Sequence, residues 1–348
     1  MNMSPRKTEI ALLFGGDSAE RIISERSAET VARHLPEQKY NVARVRVDGS
    51  AWTVETADGQ RIPVDKNRFG FADGNRFTVF DCAFVIIHGT PGENGLLQAY
   101  FEMMDVPCTT CGSFVSAMTF DKYACKSMLR DMPGVALAAD CLIKAGEPFD
   151  EAAAEAAGRK IGYPMFVKPN AGGSSFGITK VAAPDGLRAA VEKARREGGG
   201  DAIAEAFVAG AEFSHGIYST GQRTIELPVT QIVSENEFFD FDAKYEGKSR
   251  EITPAPISDD LSRKIRATTR TVVSRLSCRG LTRIDYILSG DALYFLEINT
   301  VPGMSEASIV PQQIAAAGLT LSGVLELLVE DSIAETREKQ RYKTAKQW

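Results

Sequence analysis

The sequence predicts an α/β protein of two or three domains. Its 348 residues allow a sizeable core in each, with apolar content of 44% and charged content of 25%. A strand–loop–helix–strand unit opens the chain, and a continuous apolar run covers residues 82–87, as in a strand buried on both faces. An aliphatic and aromatic stretch at 281–303, interrupted by a Gly turn, predicts two further strands joined as a hairpin.

The N-terminal part alternates strands with helices. The predicted elements are a strand at 9–14, a helix to about Leu35, a strand at 41–47, a hairpin insertion at 50–78, a strand at 82–87, a helix at 96–104 and a short strand from Pro107. Loops at the carboxyl ends of such strands carry the ligand sites of α/β proteins. The glycines at Gly15-Gly16 do not form a dinucleotide fingerprint.

The second half contains more strands. The predicted elements are a helix at 122–132, a surface helix at 145–158, strands at 165–169, 202–207, 213–220 and 224–233, a helix at 185–197, a helix capped by Ser258, the hairpin, and two short helices. The polar stretch 238–257 predicts a lid loop, because long irregular loops inside compact domains are commonly functional. The charged tail from Glu335 is expected to fray.

His88 stands at the carboxyl end of the strand at 82–87. The motif there is His88-Gly-Thr-Pro-Gly-Glu-Asn-Gly95. A loop histidine with satisfied hydrogen bonds is one interpretation. The position at a strand end, beside three glycines and Glu93, favours a ligand-binding residue.

A Gly- and Ser-rich loop follows the strand at 165–169. Its sequence, Asn170-Ala-Gly-Gly-Ser-Ser-Phe-Gly177, offers many backbone N–H groups, and Lys168 before it adds a positive charge. That combination suits phosphate oxygens. A flexible surface hairpin explains the composition equally well, and the order of residues is not that of a Walker A loop.

One face of the hairpin at 281–303 is polar. Arg283 and Asp285 share a face of the first strand, as do Glu297 and Asn299 of the second. If the hairpin is symmetric about Asp291, Asp285 lies opposite Glu297 and Arg283 opposite Asn299. Such oxygens suit magnesium rather than zinc. Taken alone, the ribbon also fits a surface hairpin whose polar face meets water.

Composition excludes several classes of function. The net charge of −6 disfavours a broad surface for nucleic acid or anionic membranes, and no apolar run reaches the ~20 residues of a spanning helix. The run at 10–14 is too short for a signal-peptide core, so we expect a cytoplasmic protein. Cys108 and Cys111 form a CxxC without a second pair or a nearby His, which favours small buried thiols over a zinc or redox site.

Five motifs, in unbroken order from about Ile10 to Leu328, resemble D-alanine–D-alanine ligases of the ATP-grasp superfamily. They are Gly15-Gly-x-Ser-Ala-Glu20, His88-Gly-x-x-Gly-Glu-Asn-Gly-x-Leu-Gln98, Lys168-Pro-x-x-x-Gly-Ser-Ser-x-Gly177, Ala243-Lys-Tyr245 and Arg283-Ile-Asp285 with Glu297-Ile-Asn-Thr-x-Pro-Gly303. The set and its spacing are more specific than any one motif. Ala206 and Ala307 depart from residues that are common in the family.

The resemblance implies a fold and a reaction. The fold is an N-terminal Rossmann-like domain at 1–121, a central ATP-grasp domain at 122–211 and a C-terminal ATP-grasp domain at 212–333 with the lid at 238–257, before a tail at 334–348. ATP would lie between the two antiparallel sheets of the ATP-grasp domains. The implied reaction phosphorylates one D-alanine, and the amine of a second attacks to give D-alanyl-D-alanine for peptidoglycan.

The resemblance also implies roles for individual residues. Asp285, Glu297 and Asn299 would hold two Mg²⁺ (or Mn²⁺), and Arg283 with the backbone N–H of Gly303 would form an oxyanion hole. The implied ATP contacts are Lys122, Lys168, Ser175, Glu205, Phe207, Val208, Glu212 and Lys244. The implied contacts to the two D-alanines are Glu20, supported by Ser174 and Tyr245, with His88 near the first substrate and Ser308 at the carboxylate of the second.

Tyr245 bears on the choice of product. In the resembled family Tyr at this position accompanies D-alanine as second substrate, and Phe accompanies D-lactate, so a dipeptide is expected. The alternatives are an ATP-grasp ligase with D-lactate or D-serine as second substrate, and a non-catalytic nucleotide-binding regulator. The regulator is disfavoured because the metal set, the lid Lys and the oxyanion Arg are all present. The partners expected are D-alanine, ATP and a second copy in a homodimer, with no nucleic acid or membrane.

Overall fold

The computed structural model of this chain describes residues 6–18, 20–173, 176–234 and 249–345. Within these ranges the strands form three sheets. The predicted site residues that lie outside the described residues are Ser174, Ser175, Lys244 and Tyr245.

The first sheet is built around β1, which is parallel to both of its neighbours. Its strands are β1 (Thr8–Gly15), β2 (Tyr40–Asp48), β3 (Ala51–Glu55), β4 (Arg61–Asp65), β5 (Gly70–Asp73), β6 (Arg76–Val79) and β7 (Cys82–Val85), in the order β6-β5-β4-β3-β2-β1-β7. The predicted insertion at 50–78 extends this sheet with antiparallel strands. From Pro107 the structure has only an isolated bridge between Ala83 and Cys108, because the chain turns at once into the next helix.

Burial on both faces, predicted for the run at 82–87, is found there and in β1. Ile10, Leu12 and Phe14 pack with one hydrophobic cluster, and Ala11 and Leu13 with another. The helices of this part are α1 (Arg21–His34), α2 (Leu96–Met103) and α3 (Ser113–Phe120). The first cluster lies under α1 and the second under α2, so the carboxyl end of β1 opens between two packed layers.

The second sheet is antiparallel. It contains β8 (Asp140–Ile143), β9 (Met165–Pro169), β10 (Thr179–Val181) and β11 (Ala202–Ala206), in the order β10-β9-β11-β8. The accompanying helices are α4 (Lys122–Leu129), α5 (Glu151–Ile161) and α6 (Leu187–Gly198). Asp121 caps α4 by accepting a hydrogen bond from Ala124 N. The predicted helix at 145–158 begins later, at Glu151, where the Asp150 side chain caps it.

The third sheet carries the polar hairpin at its edge. It contains β12 (Ala211–Ser219), β13 (Thr224–Ser234), β14 (Ser249–Ile252), β15 (Gly280–Ser289) and β16 (Ala292–Asn299), in the order β14-β13-β12-β15-β16. Helix α7 (Asp259–Leu276) packs on its apolar face, and Ser258 caps α7 as predicted. The prediction of a loop over 238–257 is wrong for residues 249–252, because these residues form β14 and pair with β13. Residues 235–248 are outside the described residues.

Two helices close the chain. They are α8 (Ile309–Ala316) and α9 (Leu321–Ala345). Buried side chains of α9, including Leu325 and Leu328, join the cluster that covers β1 and β7. The expected fraying from Glu335 is not what the structure has, since α9 continues to Ala345 and Lys343 pairs with Asp105 at 2.5 Å.

No single helix among the described residues is both long and apolar enough to cross a membrane. One pair passes that test only together, Ile309–Ala316 with Leu321–Lys343, and it is bent by 106°.

The hairpin of β15 and β16 contains a bulge. Next to the turn, Ser289 pairs with Ala292, and the pairing continues to Tyr286 opposite Phe295. Asp285 then pairs with Glu297, so Leu296 is the extra residue. The predicted pairs of Asp285 with Glu297 and Arg283 with Asn299 are confirmed. The symmetry about Asp291 on which they were predicted is wrong, because the pairing next to the turn is offset by one residue and the bulge compensates for that offset.

Candidate functional site: a cleft between two antiparallel sheets

A cavity of about 320 Å³ lies between the second and third sheets. The second sheet contributes residues of β9 and β11, and the third contributes the start of β12 and parts of β15 and β16. The predicted site residues on its wall are Lys122, Lys168, Glu205, Phe207, Val208, Glu212 and Glu297. The predicted ATP contacts in the described part of the chain therefore surround one cavity. One predicted metal ligand, Glu297, also lies on its wall.

A buried ion cluster forms one wall of this cavity. Glu205 accepts from Lys126 with one carboxylate oxygen and pairs with Lys168 through the other. Lys126 also approaches Asp140, with 3.3 Å between Nζ and Oδ2. Burial would raise the pKa of Glu205, but the ammonium groups of Lys168 and Lys126 outweigh it and lower the pKa to about 2. The carboxylate is thus ionised at neutral pH, and the two lysines are held in place beside the cavity.

Lys122 lies at the cavity end of α4. Its ammonium donates to the carbonyl oxygen of Gly172, in the loop that follows β9. Burial lowers the pKa of Lys122, and the nearby Glu297 carboxylate opposes that shift. A cation is therefore directed at the space between the Gly-rich loop and the hairpin, which is suited to a polyanionic ligand.

The polar face of the hairpin is organised around Asp285, which is 3% exposed. Arg283 donates to both of its carboxylate oxygens, Nε to Oδ1 at 3.0 Å and Nη2 to Oδ2 at 2.8 Å. Ser214 on β12 donates to Oδ1 at 2.6 Å, and Asn299 Nδ2 to Oδ2 at 3.3 Å. The carboxylate is fixed in orientation by groups on both neighbouring strands.

The donor set on this face fits a hard divalent cation. Asp285, Glu297 and Asn299 offer carboxylate and amide oxygens and no sulfur or imidazole, which is the chemistry that Mg²⁺ or Mn²⁺ prefers. Among the described residues, no group of three His, Cys, Asp or Glu side chains converges to hold a metal. The third member of the predicted set, Asn299, offers an amide oxygen.

A second group of predicted residues lies at the carboxyl end of β1. A Cβ atom added to Gly173 would collide with the Glu20 carboxylate, so the Gly-rich loop reaches across to the first sheet. His88 is 5% exposed, and burial lowers the pKa of its imidazole while Glu20 opposes the shift. Burial raises the pKa of Glu93 to about 8, and Glu20 contributes to the same effect.

Gly303 and Ser308 lie together beyond the end of β16. A Cβ atom on Gly303 would lie 2.9 Å from Ser308 Oγ, and that hydroxyl lies 2.7 Å from Ser305 Oγ. Gly303 and the Ser308 hydroxyl are therefore neighbours. The structure thus groups the described predicted residues into a cavity between sheets, a polar hairpin, a cluster at β1 and the loop after β16.

Two residues of this region were not predicted from the sequence. Lys126 shares a face of α4 with Lys122 at a spacing of four residues, which was a signal that a second lysine faces the cavity. Ser214 is completely buried, and only the pairing of β12 with β15 places it opposite Asp285. No pattern in the sequence indicates that pairing.

Two family models match the chain. The model described as D-ala D-ala ligase N-terminus covers residues 9–111, and the model described as D-ala D-ala ligase C-terminus covers residues 134–330. Among curated relatives, a D-alanine--D-alanine ligase of Bacteroides fragilis (strain YCH46) is 42% identical over 326 residues, which are 93% of this chain and 99% of the relative. A D-alanine--D-alanine ligase of Parabacteroides distasonis is 42% identical over 334 residues, 96% of this chain and 100% of the relative.

Solved structures show the same fold. The VanG D-Ala:D-Ser ligase from Enterococcus faecalis has a TM-score of 0.83 and 28% identity, covering 94% of this chain and 100% of that one. The D-alanyl-alanine synthetase A from Vibrio cholerae O1 biovar eltor has a TM-score of 0.84 and 25% identity, covering 95% of this chain and 99% of that one.

The fold and the cleft between the two sheets define an ATP-dependent ligase of the ATP-grasp fold. Within that class, the chain belongs to the D-alanine–D-alanine ligase family.

Proposed function

We propose that this chain uses ATP to join two D-alanine molecules into D-alanyl-D-alanine for peptidoglycan synthesis. The observation that carries the proposal is the placing of a lysine-lined cavity next to the polar face of the hairpin, in a chain of this family. The γ-phosphoryl group passes to a carboxylate oxygen of the first D-alanine, leaving ADP. The amine of the second then attacks the acyl carbon, phosphate leaves, and the amine loses a proton.

Binding of ATP is assigned to the cavity between the sheets. We assign the phosphates to Lys122 and Lys168, and the adenosine part to the far wall. The residues assigned to adenine and ribose are Glu205, Phe207, Val208 and Glu212. Glu205 also engages Lys126 and Lys168, so besides its contact to adenosine it holds these two ammonium groups at the wall of the cavity. Ser175 and Lys244 are assigned to the γ-phosphate from the sequence alone.

We assign two Mg²⁺ (or Mn²⁺) to Asp285, Glu297 and Asn299. Bound there, the ions would neutralise the charge that develops on the phosphates. The chain's own contribution is orientation, since Ser214 and Arg283 fix the Asp285 carboxylate by hydrogen bonds.

The two amino acids are assigned to the cluster at β1 and to the loop after β16. Glu20 receives the ammonium group of the first D-alanine, with Ser174 and Tyr245 as its partners and His88 nearby. Arg283 and the Gly303 N–H stabilise the oxyanion formed by attack on the acyl carbon. Ser308, adjacent to Gly303, binds the carboxylate of the second D-alanine.

The domain boundaries proposed for this chain fall at 121/122 and 211/212. The first lies between α3 and α4, where Asp121 ends one helix and caps the next. The second lies at the start of β12, where the chain leaves the second sheet for the third. The cytoplasm is the proposed location, because the reaction consumes ATP.

A homodimer is the proposed assembly. The exposed apolar side chains Leu96, Met103 and Phe114 lie on α2 and α3, which pack against each other. A second copy would remove this patch from water. Light scattering should give a dimer for the unaltered chain and a monomer for Met103→Lys. Tyr342→Lys, which changes an exposed apolar residue on α9, should remain dimeric; a monomeric unaltered chain would refute the assembly.

The test of function is the product formed from ATP, Mg²⁺ and D-alanine. We expect D-alanyl-D-alanine by chromatography, with one phosphate released for each dipeptide. Parallel reactions with D-lactate or D-serine as the second substrate should give little mixed product at neutral pH. Phosphate release that does not depend on D-alanine would refute the ligase, and a dominant depsipeptide would refute the choice of second substrate.

A further inference from the structure

The loop that carries Gly303 is fastened to the first sheet's loops and helix. The N–H of Val301 donates to Glu93 Oε1 at 3.4 Å, and the N–H of Met304 donates to Ser27 Oγ at 3.1 Å. These two contacts lie on either side of Gly303 in the chain. The backbone of the loop is thus held at both ends by side chains that come from a different part of the fold.

Ser27 and His88 form the buried part of this fastening. Ser27 on α1 is completely buried, and its Oγ lies 3.5 Å from His88 Nε2. That oxygen accepts from the Met304 N–H, and its own hydrogen can point at Nε2 in the tautomer in which that nitrogen is unprotonated. The backbone of Val301 bonds to the same ring. Burial lowers the pKa of His88, which keeps the ring neutral as this arrangement requires.

Glu93 links the same loop to the motif that follows β7. One of its carboxylate oxygens accepts from Gly89 N at 2.7 Å, and the other from Val301 N. The carboxyl group therefore bridges two backbone segments, one that follows β7 of the first sheet and one that follows β16 of the third. On its other side Gly303 faces Ser308, since a Cβ atom added to it would lie 2.9 Å from Ser308 Oγ.

We propose that Ser27, His88 and Glu93 are positioning residues that aim the backbone N–H of Gly303 at the reacting carboxyl group. This inference rests on the proposed function, in which that N–H stabilises the oxyanion. It gives His88 a role exerted through Ser27 and the loop, in place of direct contact with the first substrate. A backbone donor has no side chain to orient it, so its direction depends on how its neighbours are held.

The test compares two hydroxyl deletions on α1. Ser27→Ala leaves the Met304 N–H without its acceptor. Thr30→Val removes another buried hydroxyl one turn along the helix, which donates to the Arg26 carbonyl. We expect Ser27→Ala to lower kcat by about 10- to 100-fold, with KM for ATP within about twofold. Thr30→Val should keep the kcat of the unaltered chain.

Amide hydrogen exchange gives a second readout that does not need activity. In Ser27→Ala, the amides of Val301, Gly303 and Met304 should exchange faster than in the unaltered chain, and in Thr30→Val they should not. Should Ser27→Ala fail to fold, Glu93→Gln is measured in the same way. The amide keeps the size of Glu93 and one acceptor oxygen, so its loss of kcat should be smaller than that of Glu93→Ala.

The results of these experiments distinguish a failure of the proposed positioning role from a failure of the proposed function. Equal kcat and equal loop exchange in Ser27→Ala and Thr30→Val would overturn the positioning role. A higher KM for ATP with unchanged kcat would do so as well, because the effect would then lie in binding. An unaltered chain that makes no dipeptide would overturn the proposed function, while faster exchange of the Val301, Gly303 and Met304 amides in Ser27→Ala would still support the fastening of the loop.

Discussion

Substitution of Glu205 by Gln should lower the free energy of unfolding, because it breaks the buried ion cluster of Glu205, Lys126 and Lys168. The change keeps the shape of the side chain but removes the charge between Lys126 and Lys168. Lys126 retains Asp140, at 3.3 Å, while Lys168 loses its carboxylate. Removing one partner of a buried ion pair leaves an uncompensated charge and commonly costs about 3–5 kcal/mol.

The pKa of Glu205 gives a magnitude for this loss. A fall from the ordinary value of 4.5 to about 2 corresponds to about 3 kcal/mol of stability at neutral pH. Because the folded pKa is the lower one, this stability is present above pH 4.5 and disappears as the pH falls through 2. At pH 3 roughly half of it should remain.

Urea unfolding of the unaltered chain and of Glu205→Gln would measure the difference at pH 7 and at pH 3. The matched control is Glu155→Gln, which breaks an exposed pair with Arg159 and should cost less than about 1 kcal/mol. A loss in Glu205→Gln no larger than in the control, or a difference that grows as the pH falls, would refute the reasoning.

Three further predictions follow from the hairpin and its neighbours. Glu297→Gln should abolish dipeptide formation, because the charge that binds the metal is lost. Its urea midpoint should stay near that of the unaltered chain, because the volume of the side chain is kept. Near-normal ligation would contradict the metal assignment. Ser214→Ala should weaken Mn²⁺ binding about tenfold by electron paramagnetic resonance, since the hydroxyl orients Asp285; equal affinity would refute that role of the hydroxyl. The free energy of unfolding should fall by about 3 kcal/mol between pH 6.5 and pH 4, because burial lowers the pKa of His215 to about 4 and the unfolded chain takes up the proton; a His215→Asn variant with an equal pH slope would assign the effect elsewhere.

The fold was predictable where one physical signal dominates. The run through β1 is apolar on both faces, and the structure buries it between two clusters. Ser258 was recognisable as a cap because capping is local: its side chain accepts a hydrogen bond from the Leu261 N–H in the first turn of the helix. Composition was misleading for the residues after Glu335. They are charged, yet Arg279 pairs with Glu335 at 2.6 Å and α9 continues past it.

The site was predictable where its residues are close in sequence and less so where the fold assembles them. Arg283 and Asp285 alternate along one strand, so their shared face followed from strand geometry. The approach of Ser214 and Ser27 to the site depends on which strands and helices pack together, and that is decided over long distances in the chain. The same holds for Glu93, whose partner Val301 lies far along the sequence.

The bulge at Leu296 determines whether Asp285 and Glu297 lie on the same face of the sheet. In a ladder that continued unchanged from the turn, Asp285 would oppose Leu296, and Glu297 would point to the other side of the sheet. Deleting one residue from the turn at Gly290 would have the same effect as losing the bulge, whereas lengthening that turn by two residues would leave both carboxylates facing each other. A change of two residues in the length of this hairpin should therefore preserve the metal site, and a change of one residue should destroy it. Measuring the affinity of the two loop variants for Mn²⁺ would test this.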